Sequence, residues 1–387
     1  MISQAFILAG GLGTRLGALT RQTPKPMLPV GGKPFLEYLV WNLRRHGITS
    51  IVLSVGHLSP RIITHFKDGS DFGVHIEYVA EETPLGTGGA LKRAEDKFHG
   101  SFLVLNGDTL FDFNYLDLAL RLGNPDILGA LSLRSVPDAS RYGSVALEQG
   151  RIQGFQEKSQ TGQGLISGGV YALRKELLQK LSTGPGSIEQ DLFPGLATEG
   201  LLAGAAYEGF FIDIGLPETL YRAQTDLPAW RRKPAVFFDH RALFQYGAQD
   251  PPPPGEFAPA SGAAGAVKRC NDEGRLVVAV NGCPSRADSP GAGHFEDSMR
   301  QAGARLREQG AHIDAVLPCI QGPGESLADR LRPVPDFSVG HPALERWDID
   351  LDNSVFLGGA AKSLAGRTLG KAWPPMLADH LRSLEYE

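Results

Sequence analysis

Ala5-Phe6-Ile7-Leu8-Ala9-Gly10-Gly11-Leu12-Gly13-Thr14-Arg15-Leu16-Gly17 is an apolar run that breaks into closely spaced glycines. Ala5 to Leu8 reads as a buried strand. Glycines let backbone amides approach a phosphate closely, and a following helix N-terminus would add partial positive charge. Arg15, and Lys25 in Pro24-Lys25-Pro26-Met27, would add full charges. A tight strand-to-helix turn accounts for the same glycines without any ligand. Two familiar phosphate loops fit poorly. A Walker loop needs Gly-Lys-Ser/Thr where Thr14-Arg15-Leu16 stands. A dinucleotide loop needs a third glycine at Leu16 and an acid about 20 residues on, at the end of the second strand.

Outward from this stretch, Ile51 to Val55, His75 to Val79 and Phe102 to Leu105 read as further strands. Between the first two strands, Phe35, Leu36, Leu39, Val40 and Leu43 fall at spacings of about three and four, so one helix face is apolar. This alternation predicts an α/β fold with a mostly parallel sheet, whose ligands sit at the carboxyl ends of the strands. The glycine loop and the Asn106-Gly107-Asp108 turn would share that edge.

The full chain of 387 residues exceeds the size of one ordinary core, so two domains are expected, 1–228 and 229–387. The text changes between Pro228 and Pro234, where the basic cluster Arg231-Arg232-Lys233 precedes a new strand, Ala235 to Phe238. Leu276 to Val280 and Val355 to Leu357 are the clearest later strands. Asp250 to Pro254 and the Gly- and Ala-rich stretch after it read as a loop or flap, because prolines lack amide donors.

Composition is 42% hydrophobic and 21% charged with a net charge of -5, which argues against a disordered chain, a membrane protein or a general nucleic-acid binder. Cys270, Cys283 and Cys319 form no pair at metal-ligand spacing, and a reducing compartment fits them. With no long apolar run, a cytoplasmic location is expected.

Asp108 follows an apolar strand in Leu105-Asn106-Gly107-Asp108-Thr109, and Asp213 follows another in Phe211-Ile212-Asp213-Ile214-Gly215. Two carboxylates at strand ends can hold a magnesium ion that also grips substrate phosphates. Each alone reads equally well as a turn-forming aspartate.

Taken in order, Gly10 to Leu16, Pro24 to Met27, Pro84-Leu85-Gly86-Thr87-Gly88-Gly89-Ala90, Leu105 to Thr109, Glu157-Lys158 and Asp213 to Glu218 resemble the sugar nucleotidyltransferases. The likeness covers about 225 residues and is narrower toward the heptose 1-phosphate guanylyltransferases. It implies a Rossmann-like domain in which Gly10, Gly11, Gly13, Thr14 and Arg15 wrap the nucleotide phosphates, with Arg15 and Lys25 as the catalytic cations. Gly86 and Thr87 would face the base, and Glu157, Lys158, Gly168 and Gly169 would line the sugar-phosphate pocket. Asp108 and Asp213 would bind Mg2+. The implied partners are a nucleoside triphosphate and a sugar 1-phosphate, with no nucleic acid and no membrane, and a homo-oligomer stays open. The implied reaction is transfer of GMP from GTP to heptose 1-phosphate. A mannose 1-phosphate guanylyltransferase, a uridylyl or cytidylyl relative, and a sugar-nucleotide sensor without catalysis are the alternatives.

The second half resembles a phosphatase of the haloacid-dehalogenase (HAD) type over about 150 residues, namely the heptose 1,7-bisphosphate 7-phosphatases. Asp239 stands at that family's nucleophile position, but Arg241 replaces the second acid and Val280 replaces a hydroxyl residue. Arg332-Pro333-Val334-Pro335 occupies the lysine-bearing segment, and Gly358-Gly359 the metal-binding Gly-Asp turn. Cys319 alone remains of the zinc ligands, which is no zinc site. A HAD-like α/β domain without catalysis is therefore expected, kept for packing, assembly or regulation, or for binding a sugar phosphate through Arg241 or Arg332.

Overall fold

The computed structural model describes residues 2–11, 13–139, 143–156, 162–239, 244–245, 258–259, 262–280, 292–317 and 347–357. The chain divides into two compact units, Met1–Pro228 and Ala229–Glu387.

The first unit is built on a nine-stranded sheet. Its opening strands are β1 (Gln4–Leu8), β2 (Ser50–Val55), β3 (His75–Ala80) and β4 (Phe102–Asn106). β1 pairs in parallel with both β2 and β4, and β2 with β3. Strands covered on both faces carry continuous apolar runs, and Phe6, Val52, Phe102 and Val104 all lie in the core. Helix α1 (Phe35–Arg45) buries Phe35, Leu36, Leu39, Val40 and Leu43, the face its spacing predicts.

Past β4 the sheet becomes mixed. Thr109–Phe111 (β5) leaves it for a separate ribbon, and Gly129–Val136 (β6), Ser144–Glu148 (β7), Arg151–Gln156 (β8), Gly164–Leu173 (β9) and Leu202–Ala206 (β10) complete it. The order is β3-β2-β1-β4-β9-β6-β10-β8-β7. β9 runs antiparallel to β4 and β6, and β8 antiparallel to β10 and β7. The expected mixed, mostly parallel α/β sheet is present in this unit.

Because β1 and β4 are parallel neighbours, the glycine loop and the Asn106-Gly107-Asp108 turn leave the sheet at the same edge. The Gly107 amide donates to the Leu8 carbonyl at 3.0 Å. A Cβ at position 107 would collide with that carbonyl, so only glycine permits the approach.

One local expectation is corrected. No α-helix follows the glycine loop directly: Thr14–Thr20 forms 3-10 turns broken at Gly17, whose φ of 56° and ψ of -117° lie outside helical space. Such a backbone is available mainly to glycine, and Pro24 and Pro26 follow before regular helix begins at Phe35. Helix α2 spans Gly86–Arg93, and helix α3 (Pro217–Arg231) continues through Pro228.

The second unit contains a parallel sheet of Ala235–Asp239 (β11), Leu276–Val280 (β12), Ala315–Leu317 (β13) and Val355–Leu357 (β14), ordered β13-β12-β11-β14. Helices α4 (Ala263–Asp272) and α5 (Ala292–Glu308) contribute Val267, Cys270, Ala302 and Leu306 to its core. The three strands read from the sequence are all present. Asp250 to Pro254, Arg241, Arg332 to Pro335, Cys283, Cys319 and Gly358-Gly359 lie outside the described residues. Among the described residues no helix is long and apolar enough to cross a membrane.

Phe98 stacks on Phe102 at 3.8 Å between ring centres and meets Phe6 edge-on at 5.9 Å, under β1 and β4. Phe98→Ala is expected to cost about 3–5 kcal/mol, read as lost amide-exchange protection in β1 and β4. Unchanged protection there would contradict this packing.

Candidate active site

The geometry starts with a short ribbon. Phe211–Asp213 pairs antiparallel with β5, placing Asp213 opposite Thr109, and the Ile214 amide donates to the Asp108 carbonyl at 2.9 Å. Two aspartates far apart in sequence thereby meet at the carboxyl edge of β1 and β4. Asp213 accepts from the Gly215 amide at 2.5 Å, and Asp108 accepts from the Thr109 hydroxyl at 3.0 Å.

Lys25 reaches this pair from the far end of the glycine loop. Its ammonium donates to Asp108, with 13% of the side chain exposed. Gly13, at φ 63°, lies against Lys25 and Thr20. The Thr20 hydroxyl donates to the carbonyls of Gly13 and Gly17 at 3.1 and 3.2 Å, tying the loop back on itself. Thr14 and Arg15 are exposed, as is Gly11, which has open space where a side chain would project.

Burial, and then the neighbouring Asp108 charge, hold the Asp213 carboxyl above the usual carboxylate range, while Lys25 and Arg15 pull the other way. Arg15, Lys25, Asp108 and Asp213 thus act on one electrostatic site. The residual strain between two carboxylates is what a divalent cation would relieve. Among the described residues no group of three or more metal-ligating side chains occurs. Two carboxylates nevertheless suit magnesium, which keeps several waters and takes further oxygens from phosphate.

Gly86, Thr87, Gly168 and Gly169 are placed by a second set of contacts. Gly86, at φ 69°, packs against the Gly186 carbonyl so closely that no Cβ would fit. The Gly88 amide donates to the same carbonyl at 2.8 Å, and the Gly186 amide to the Leu85 carbonyl at 2.9 Å. The Thr87 hydroxyl donates to Glu189 at 2.7 Å and accepts from the Ile188 amide at 2.9 Å. Gly168 lies under Phe111, and Gly169, at φ 73°, against Asn106. Glu157 and Lys158 lie outside the described residues.

Sequence reasoning missed two carboxylates. Glu81, just past β3, accepts from the Ser54 hydroxyl and, at 3.0 Å, from the Leu85 amide. It lies against Gly10, so it joins the first loop to the Pro84-Leu85 loop. Glu189 is the second, and no local pattern around it announces a contact with Thr87. His46, carrying no motif, is a packing residue stacked on Tyr115 at 4.6 Å.

Stability should report the tension at Asp213. A carboxyl raised by folding binds its proton more tightly in the folded state, so stability falls as pH rises from the ordinary carboxylate value to the raised one. Asp213→Asn keeps the acceptor for Gly215 and removes the charge. Without divalent cation near neutral pH, its Tm should equal or exceed the wild-type value, and the gap should close in acid. A lower Tm for the variant near neutral pH would contradict the assignment.

Residues 4–229 match the family model described as nucleotidyl transferase. The D-glycero-alpha-D-manno-heptose 1-phosphate guanylyltransferase of Aneurinibacillus thermoaerophilus is 37% identical over 226 residues, 58% of this chain and 98% of that protein. A mannose-1-phosphate guanyltransferase of Aspergillus fumigatus is 35% identical over 223 residues, 56% of this chain and 61% of that protein. The crystal structure of HddC from Yersinia pseudotuberculosis complexed with GMP-PN superposes with a TM-score of 0.52 at 33% identity, covering 58% of this chain and 100% of that one. With the glycine loop, Lys25 and the aspartate pair assembled on one sheet edge within the matched residues, the chain belongs to the nucleotidyl transferase family.

Proposed function

We propose that this protein transfers GMP from GTP to a sugar 1-phosphate, with D-glycero-D-manno-heptose 1-phosphate as the favoured acceptor, releasing pyrophosphate. The observation that carries this reading is the convergence of Lys25, Asp108 and Asp213 beside the glycine loop. The heptose 1-phosphate relatives support the sugar, and Glu81 supports the base. A carboxylate pinned between Gly10 and Leu85 still has lone pairs for the adjacent N–H donors of guanine. The mannose 1-phosphate relative keeps that sugar as the second reading.

A phosphate oxygen of the sugar 1-phosphate attacks the α-phosphorus in line, and pyrophosphate leaves from the opposite side. Such chemistry depends on positioning and charge neutralisation more than on a protein nucleophile. The amides of Gly10, Gly11 and Gly13 would cradle the triphosphate, while exposed Thr14 and Arg15 would close over it. Lys25, held in place by Asp108, presents its charge where negative charge accumulates during transfer. Asp108 and Asp213 would hold Mg2+, which would supply charge neutralisation on the phosphates. Gly86 and Thr87 would shape the base side, and Glu157, Lys158, Gly168 and Gly169 the sugar-phosphate side.

The second unit is read as a HAD-like domain without phosphatase activity. A phosphoryl-aspartate route needs a nucleophile, a second acid, a cation on the transferred group and an acid-held metal. Arg241 cannot donate a proton near neutral pH, and Gly359 has no side chain to bind metal.

Pyrophosphate release should be fastest with GTP and the manno-configured heptose 1-phosphate in a matrix of four triphosphates against several sugar 1-phosphates. Faster turnover with UTP or dTTP would overturn the base assignment. Asp108→Asn and Asp213→Asn should each lower turnover by roughly a hundredfold or more, and near-normal rates at saturating magnesium would remove that residue from the site. The full chain should release no phosphate from heptose 1,7-bisphosphate, and Asp239→Asn should leave nucleotidyl transfer unchanged. Phosphate release that disappears in Asp239→Asn would show that the second unit is an active phosphatase.

A further inference from the structure

Three segments that the sequence presents as separate motifs are joined by a single carboxylate. One oxygen of Glu189 accepts from the Thr87 hydroxyl at 2.7 Å and from the Ser187 hydroxyl at 2.9 Å. The other oxygen accepts from the Tyr171 hydroxyl at 3.3 Å. Tyr171 is fully buried, and its hydroxyl lies 3.1 Å from that of Ser167. Ser167 in turn accepts from the Gly169 amide at 3.4 Å, and Gly169 abuts Asn106, which immediately precedes Gly107-Asp108. A polar chain therefore runs from the Gly86-Thr87 loop, through Glu189 and Tyr171, to the Ser167-Gly168-Gly169 turn, which packs against Asn106 on the edge that carries Asp108.

Local backbone geometry makes Glu189 suitable for this role. It lies in a single π-helical turn, Ile188–Leu192, opened by Ser187, whose side chain accepts from the Gln190 amide. Isolated π turns commonly mark functional sites because they re-aim a side chain that a regular helix would direct elsewhere. The same segment docks on α2 through paired backbone bonds, Gly88 to Gly186 and Gly186 to Leu85. Gly86 allows no side chain between the two segments. Without Glu189, the buried Tyr171 hydroxyl and the Thr87 hydroxyl would both lose their carboxylate acceptor, leaving Thr87 only the Ile188 amide, so both loops would loosen together.

We propose that Glu189 is a positioning residue for nucleotidyl transfer: it clamps Thr87 on one side and, through Tyr171 and Ser167, the Gly168-Gly169 turn on the other, coupling the nucleotide and sugar-phosphate subsites. This rests on the reading of those two loops given under the proposed function. Glu189 acts through the residues it holds and touches neither substrate.

The test is steady-state kinetics on the full chain with whichever triphosphate and sugar 1-phosphate the wild type turns over fastest. Absence of turnover in the wild type with every pair would overturn the transferase reading itself, whereas the clamp is judged on variants of an active enzyme. Glu189→Ala should raise the KM of both substrates by about fivefold or more, an effect of roughly 1 kcal/mol on each. Thr87→Val should raise mainly the triphosphate KM, and Tyr171→Phe mainly the sugar 1-phosphate KM. Adding Thr87→Val to Glu189→Ala should cost nothing further on the triphosphate side, because both remove the same link. Glu189→Gln, which keeps an acceptor and adds a donor, should recover most of the loss. A purely structural role would lower Tm in Glu189→Ala and leave both KM values within about twofold of wild type, and that result overturns the proposal. If Glu189→Ala does not fold, the two single-arm variants decide: KM values unchanged in both overturn it equally.

Discussion

The antiparallel ribbon formed by Thr109–Phe111 and Phe211–Asp213 is the constraint on which the site depends. Its register fixes Asp213 opposite Thr109, and the Ile214 to Asp108 backbone bond holds the two aspartates close enough for the Asp108 charge to act on Asp213. Folding thus forces two like charges together in partial burial, a costly arrangement unless cations compensate it. Lys25 compensates Asp108 directly, while Asp213 stays above its ordinary range. The glycines follow from the same constraint. Gly107 lets the turn pass beneath Leu8, and Gly13 lets the loop fold back until Lys25 reaches Asp108. Without this convergence, the sheet edge would hold an ordinary glycine turn and two unrelated aspartates.

Much of this was legible in the sequence, for a physical reason. Parallel strands buried on both faces leave largely apolar runs, so β1, β2 and β4 could be read directly, whereas β3, at the sheet edge, is only partly buried. Residues at the ends of those strands then fall on one edge, whatever the details of the loops. That is why Lys25, Asp108 and Asp213 could be singled out before their meeting was visible. The 3-10 turns after the glycine loop were not legible, because Gly17 reads the same in a helix and at a break until its ψ of -117° is known. Glu81 and Glu189 were missed for a different reason: each gains its meaning from partners far away in the chain.

Glu189 is bonded directly to one of the flanking motifs. Thr87 is expected to face a nucleotide base, and its hydroxyl bonds to Glu189 and to the Ile188 amide. Under the proposed function Thr87 would still shape the base side with Gly86, while Glu81, beside Gly10, would offer acceptors to the base. In the second unit, four parallel strands and two helices stand around their own core. A fold of that kind persists through packing alone, so its stability does not depend on reactive residues in its loops.

The central claim, that Asp108 and Asp213 together hold a phosphate-bridging divalent cation, is tested most directly by binding of Mn2+. Electron paramagnetic resonance of the full chain with a non-hydrolysable GTP analogue measures the bound ion without relying on turnover. Wild-type protein should bind Mn2+, and Asp108→Asn and Asp213→Asn should each weaken that binding at least about tenfold, roughly 1.4 kcal/mol. Affinity unchanged in either variant would contradict the paired-carboxylate site and leave the ribbon as structure alone.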